Sequence, residues 1–183
     1  MSALSNPASS SPAEISAYVA ALLQLLGDQD PVVILGQTPT ALQQFLATIP
    51  ANLAVRPEAP GKWSIGEVVQ HLADSELVAG CRVRMVLAHD RPALAGYDQD
   101  LWADRLGYRD VRVEDALAQF VALRRANLVL WARLTPTDLA RMGRHAERGE
   151  ESLARMRRLY GGHDLLHLQQ LLRIRATLVS AAQ

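Results

Sequence analysis

Three of the five histidines stand where they could share one metal ion. His163 and His167 are four positions apart in Gly162-His163-Asp164-Leu165-Leu166-His167, so on a helix their imidazoles leave one face, one turn apart. Leu153, Met156, Tyr160, Gln170 and Ile174 continue that face at alternating steps of three and four, which places the pair on an inward seam. Two adjacent buried imidazoles are costly: both rings carry polar nitrogens, and their protonated forms would repel. A divalent cation removes that cost. His71 offers a third ligand, in Val68-Val69-Gln70-His71-Leu72-Ala73-Asp74, with Val68, Ser75 and Val78 as its inward neighbours. Two helices of a bundle can present all three rings to one point. Three protein ligands leave coordination positions open, as in catalytic or substrate-binding sites rather than closed structural ones. All-nitrogen ligation suits zinc and nickel, with iron, copper and cobalt also able to bind.

Other residues could assist. Glu76, five positions beyond His71, is rotated away from it by more than a quarter turn, which suits a general base or a supporting contact better than a ligand. Asp74 and Asp164 read as solvated or capping neighbours. His145, with Glu147 and Arg148, lies in the loop before the last helix, from which it could reach a substrate pocket over the open positions; a loop histidine without a task is an equally good reading. Trp102 could cover such a pocket. Trp63 and Trp131 read as packing residues, and His89 as a favourable charge at a helix C-terminus. Cys81, the single cysteine, has no histidine beside it in sequence to act as its base and reads as a small buried side chain.

These side chains need helices to hold them. Ser11-Pro12-Ala13-Glu14 starts a short helix running to about Leu26, and Thr38-Pro39 opens a second through Leu46 by the same cap-then-proline logic. Pro50 to Lys62 is a loop. Ser64 and Glu67 form a capping-box pair at the start of a long helix to about His89. Residues 91–112 form a crossover containing a short helix. Ala116, Phe120, Leu123, Leu130 and Leu134, with Asn127 the polar exception, predict a third long helix, and the last runs from about Glu150 to Val179. No useful stretch alternates with period two, so no strand is expected. Residues 1–11 read as a flexible tail and 12–183 as one helical domain.

Composition narrows the function classes. The 183 residues are 49% hydrophobic, enough for one substantial core. Lys+Arg and Asp+Glu both number 19, so there is no basic excess to attract nucleic acid. A lone cysteine argues for a reducing, cytoplasmic setting. No apolar run approaches the roughly 20 residues that cross a bilayer, so no membrane partner is expected.

Gly61-Lys62-Trp63-Ser64-Ile65-Gly66-Glu67, followed by His71-Leu72-Ala73-Asp74-Ser75-Glu76 and later by His163 and His167, resembles the DinB-like (YfiT-like) superfamily of metal-dependent hydrolases. Tyr97-Asp98-Gln99-Asp100-Leu101-Trp102 and His145-Ala146-Glu147-Arg148-Gly149 are similar to further pieces of its pattern. The likeness spans about Thr38 to Ile174. It implies an all-α, four-helix bundle with up-down-down-up connectivity, here preceded by an extra short helix. It also implies a metal held by His71, His163 and His167, and a homodimer. Members use bacillithiol, mycothiol or glutathione in thiol-dependent transfers and isomerisations. The expectation is therefore an enzyme acting on a small molecule, in which a divalent metal activates a low-molecular-weight thiol for S-transfer or water for hydrolysis. The competing expectation is a non-catalytic, stress-related binding protein in which the metal serves the fold.

Overall fold

A computed structural model describes residues 11–180. The predicted tail, apart from Ser11, lies outside the described residues. Helix α1 (Pro12–Leu26) begins as expected, with the Ser11 side chain accepting from the Glu14 amide and Glu14 reaching back to the Ser11 amide. Helix α2 (Pro31–Ala47) departs from expectation. It is capped by Asp30 and starts at Pro31, so Thr38 and Pro39 are interior. An interior proline has no amide proton for the carbonyl four residues back, here that of Leu35. The Arg124 guanidinium donates to that carbonyl instead, at 2.8 Å. The buried Thr38 hydroxyl, whose single proton goes to Asp164 at 2.6 Å, also lies 2.9 Å from the Ile34 carbonyl.

A short α3 (Ala51–Ala54) occupies part of the expected loop. Helix α4 (Ile65–Ala88) opens on the Ser64/Glu67 capping box and is capped at its end by His89. The crossover holds β1 (Ala93–Leu94), α5 (Gln99–Arg105) and a 3-10 turn at Tyr108–Asp110. Helix α6 (Val113–Trp131) stops three residues short of the predicted Leu134, and α7 (Pro136–Leu139) follows. Then come β2 (Met142–His145), β3 (Gly149–Ser152) and α8 (Leu153–Ser180).

The strands correct the sequence reading. β2 and β3 form an antiparallel hairpin, pairing Met142 with Ser152 and His145 with Gly149, and β1 adds in parallel on β2. Segments of two and four residues are too short to show a period-two pattern, and the two longer ones carry glycine and charge. The hairpin packs because Gly143 leaves room: a Cβ there would stand 2.7 Å from Leu94 and 2.8 Å from Val86. Gly149, at φ +74°, supplies the left-handed residue of the turn.

Side-chain pairs fix the directions of the four long helices. Gln119 on α6 meets Gln70 and Asp74 on α4, and eight residues further along α6 Asn127 meets Glu76 and lies against Gly80, so α4 and α6 run parallel. Along α8, Leu153 and Met156 pack with Val83 and Val86 while Leu171 and Ile174 pack with Val68 and Leu72, so α8 opposes α4. Thr38 meets Asp164, and Leu42 and Phe45 pack with Leu171 and Ile174, so α2 runs with α8. The order is up, down, down, up, as the resemblance implies.

Helix α1 lies outside the four and packs on α8. It does so at backbone distance, because a Cβ on Gly162 would stand 2.2 Å from the Leu22 carbonyl oxygen. The contact brings Tyr18, Val19 and Leu22 to the end of the histidine seam. Among the described residues no single helix is long and apolar enough to cross a membrane; α1 and α2 qualify only as a pair, and that pair is bent by 84°. Cys81 is exposed rather than buried, on the outward side of α4.

Candidate metal centre

His71 on α4 meets His163 and His167 on α8 with the three side chains converging. Nε2 of His163 lies 3.3 Å from Nε2 of His71 and 3.1 Å from Nε2 of His167. Nitrogens each about 2.0–2.1 Å from one tetrahedral ion stand roughly 3.3 Å apart, so the spacing fits a shared cation. The Gln170 side-chain oxygen lies 2.7 Å from His167 Nδ1. With the proton on Nδ1, His167 turns a lone pair toward its neighbours. His71 is held differently. Its Nδ1 is buried without a hydrogen-bond partner among the described residues, and Trp63 packs on the ring at 5.0 Å between centroids. Trp63 is thus a packing residue whose partner is the site itself.

The electrostatics favour neutral rings. Burial, and secondarily the charge of His167, pushes His71 well below the ordinary 6.5; burial followed by the other two rings does the same to His163. Burial also lowers His167 to about 4, against opposing contributions from Gln170 and Asp164. Three neutral imidazoles with converging nitrogens are a donor set for a Lewis acid.

His71 and His163 also form the floor of a cavity of about 90 Å³, whose lining includes Ser75, Tyr97, His145 and Arg148. His145 and Arg148 reach that lining from the β2–β3 hairpin. Trp102 does not line the cavity. It stacks behind Tyr97 at 4.5 Å between centroids, one layer back. Ser75 bridges the floor and that wall, with its Oγ 3.4 Å from His71 Nε2 and 2.7 Å from the Tyr97 hydroxyl. The sequence marks Ser75 as an inward neighbour of His71, one turn on, but not as a cavity residue, and nothing local places Tyr97 or the α1 side chains there.

Glu76 is not at the cavity. Its carboxylate is buried against Arg124 at 2.9 Å and accepts from Asn127 at 2.8 Å. Burial raises its pKa despite those partners. Asp164 and Asp74 are likewise buried rather than solvated. Asp164 takes two hydrogen bonds from Arg124, at 2.6 and 3.0 Å, and one from Thr38 at 2.6 Å. Asp74 accepts from the Tyr108 hydroxyl at 2.7 Å and from Gln70 and Gln119 at 3.2 Å each. Helical charges of this kind read as solvated until the facing helix is known.

A family model described as the DinB superfamily matches residues 34–171. The chain belongs to the DinB superfamily. A "Putative metal-dependent hydrolase" of Oceanobacillus iheyensis is 32% identical to this DinB-superfamily chain over 108 residues, covering 59% of the chain and 62% of the relative. A second protein of that description, from Bacillus mycoides, is 26% identical over 140 residues, covering 76% and 80%. The chain thus spans a little under two thirds of the first relative's length. Among solved structures, YfiT from Bacillus subtilis superposes with a TM-score of 0.69 at 22% identity, over 92% of this chain and 91% of that one. Its published description is of a probable metal-dependent hydrolase with an unusual four-helix bundle topology. At that identity the likeness bears on the fold, and the up-down-down-up order derived above agrees with it.

The depressed histidines predict that this DinB-superfamily bundle loses stability in acid. His71, His163, His167 and His145, the last lowered to about 3 by burial and two arginines, resist protonation when folded. The unfolded chain takes up those protons near pH 6.5. Their contribution is thus complete above about 6.5 and is lost as pH falls through the folded values. Glu76, raised, acts in the opposite sense, as one group against four. Urea midpoints measured at pH 7.5, 6 and 5 should fall in that order; equal midpoints would mean the rings are not buried neutral.

Proposed function

We propose that this chain is a metal-dependent enzyme in which His71, His163 and His167 hold a divalent transition metal, zinc or nickel, and that its reaction is S-transfer from a low-molecular-weight thiol to a small electrophile. The observation that carries the reading is the meeting of three Nε2 atoms, at 3.1 and 3.3 Å, two of them belonging to residues that line a cavity. A divalent metal bound there would lower the pKa of a thiol or water and make a nucleophile near neutral pH.

The chain's own residues do the rest. Gln170 and Trp63 orient two of the rings. Val19, Leu22 and Leu159 give the cavity an apolar wall that limits water. Ser75 and Tyr97 present hydroxyls beside His71, placed to bond a ligand or pass a proton. In S-transfer the thiol's proton passes to solvent, a carbon–sulfur bond forms at the electrophile, and the bond from that carbon to the leaving group breaks, its electron pair going with the leaving group. That route needs no carboxylate base, which agrees with Glu76 being tied to Arg124 and Asn127. Hydrolysis is the second reading, favoured by the descriptions of the relatives.

Cobalt-loaded protein titrated with cysteine and glutathione separates the two. A sulfur-to-cobalt charge-transfer band, absent in His167→Ala, together with thiol-dependent turnover of 1-chloro-2,4-dinitrobenzene, would support S-transfer. Ester hydrolysis indifferent to thiol, with no such band, would establish the hydrolase instead.

A further inference from the structure

Every residue of α4 from Ile65 to Glu76 is buried except Ser75. Ser75 nevertheless shares the inward face of His71, one turn on, and its side chain is a single carbon bearing a hydroxyl. What it exposes therefore faces the cavity that it lines. Its Oγ lies 2.7 Å from the Tyr97 hydroxyl and 3.4 Å from His71 Nε2, the second distance too long for a strong hydrogen bond. Two hydroxyls that bond each other carry two protons and use one. The pair thus keeps one O–H to give, and both of its residues line the cavity. Tyr97 is held by groups that no ligand supplies: its ring stacks on Trp102 at 4.5 Å and lies 6.0 Å from the Arg82 guanidinium. Gly96 before it lets the chain pass close to Glu147, whose carboxylate oxygen would stand 2.5 Å from a Cβ there. The donor is in place before anything binds, which is what lets it act on charge as that charge develops.

Another part of the lining is hydrocarbon. Leu159 lies one turn before His163 on α8, and Val19 and Leu22 of α1 pack with it. Four residues of helix rise about 6 Å, so an apolar group resting on Leu159 is a few bonds from an atom at His163. The cavity volume, about 90 Å³, is roughly that of three liquid water molecules, so that apolar group is short.

We propose that the electrophile is a short-chain epoxide, its ring oxygen accepting from the Ser75–Tyr97 pair and its alkyl group lying against Val19, Leu22 and Leu159. This names a substrate class for the same site and rests on the S-transfer reading for the nucleophile. A hydroxyl donor matters most where the leaving group needs a proton: a halide departs as a stable anion, whereas an alkoxide does not. Ring strain lets a thiolate break the C–O bond of an epoxide, unlike that of an open ether. Sulfur bonds one ring carbon, the C–O bond at that carbon breaks with its electron pair on oxygen, and the oxygen takes the spare proton of the pair, which regains one from solvent. With the thiol's own proton passed to solvent, the product is a β-hydroxy thioether and nothing else is consumed.

The test has a kinetic arm and a binding arm. Glutathione consumption by zinc-loaded protein is followed with 1,2-epoxypropane and with 1-bromopropane, and the unreactive rings tetrahydrofuran and cyclopentane are titrated into metal-stripped protein by NMR. Tyr97→Phe keeps the ring on Trp102 and Ser75→Ala removes one oxygen, so either variant carries the test if circular dichroism shows the other unfolded. In each, kcat/KM for the epoxide should fall about tenfold further than for the bromide, which leaves without a proton. The affinity ratio of tetrahydrofuran to cyclopentane should fall about threefold or more, the loss of one neutral hydrogen bond. Equal falls for the two electrophiles, or an unchanged ratio for the two rings, would overturn the proposal, because a packing role moves both members of a pair alike. So would bromide consumed with the epoxide untouched, or no saturable binding of tetrahydrofuran. Neither electrophile consumed, with the ring ratio shifted as expected, would sink the S-transfer reading and leave the hydroxyl pair standing as a site for an oxygen acceptor.

Discussion

Arg124→Met is expected to cost about 3–5 kcal/mol of folding stability, the usual result of removing one partner from a buried ion group. Arg124 is 2% exposed and stands at the centre of the bundle. It bonds Asp164 of α8 in a fork at 2.6 and 3.0 Å, Glu76 of α4 at 2.9 Å, and the Leu35 carbonyl of α2 at 2.8 Å. One residue of α6 thus ties the other three bundle helices together. Methionine fills much of the volume, but it leaves two carboxylates facing each other without a cation and the Leu35 carbonyl without a donor. Two like charges in a poorly solvated interior cannot both persist, so one takes up a proton or the helices part. The difference from wild type in urea should therefore narrow below about pH 5, where carboxylates protonate at lower cost. Lysine should recover only part of the loss, because a point charge cannot make the fork. A cost below about 1 kcal/mol would mean the cluster contributes little to holding the bundle. Asp164 adjoins His163 and Glu76 adjoins Ser75, so the same variant should also loosen the histidine cluster.

His163→Ala is expected to reduce bound metal from about one equivalent to almost none, by elemental analysis of protein purified without chelator or nickel resin. His163 is the central member: its Nε2 lies within 3.3 Å of both other rings, and its loss leaves His71 and His167 as a pair. A ligand present at a thousand times its dissociation constant stabilises by about 4 kcal/mol. For a chain of this length that is a rise in Tm of roughly 8–16 °C on adding zinc to stripped wild type. The variant should show no such rise while keeping its helical circular dichroism. Wild type that takes up neither zinc nor nickel would make the three histidines core residues, and the cavity would need another account.

The sequence by itself determined what is decided within about one helical turn. Ser11/Glu14 and Ser64/Glu67 start helices because a hydroxyl and a carboxylate three residues apart satisfy each other's free amides. The His163/His167 pair was legible for the same reason, since four residues are one turn. Tertiary structure decided the rest through partners far away in the chain. Pro39 sits inside α2 because Arg124, 89 positions from Leu35, takes the carbonyl that the proline leaves free. Asp164 is a buried anchor because Thr38, 126 positions away, and Arg124, 40 positions away, arrive to bond it. The sheet was invisible because its strands are too short for any period and are held by cross-strand pairing and by the space at Gly143. The α1 wall exists only because Gly162 admits the Leu22 backbone. A buried charge or an orphaned donor is stable or not according to what faces it, and no local pattern records which distant residue that will be.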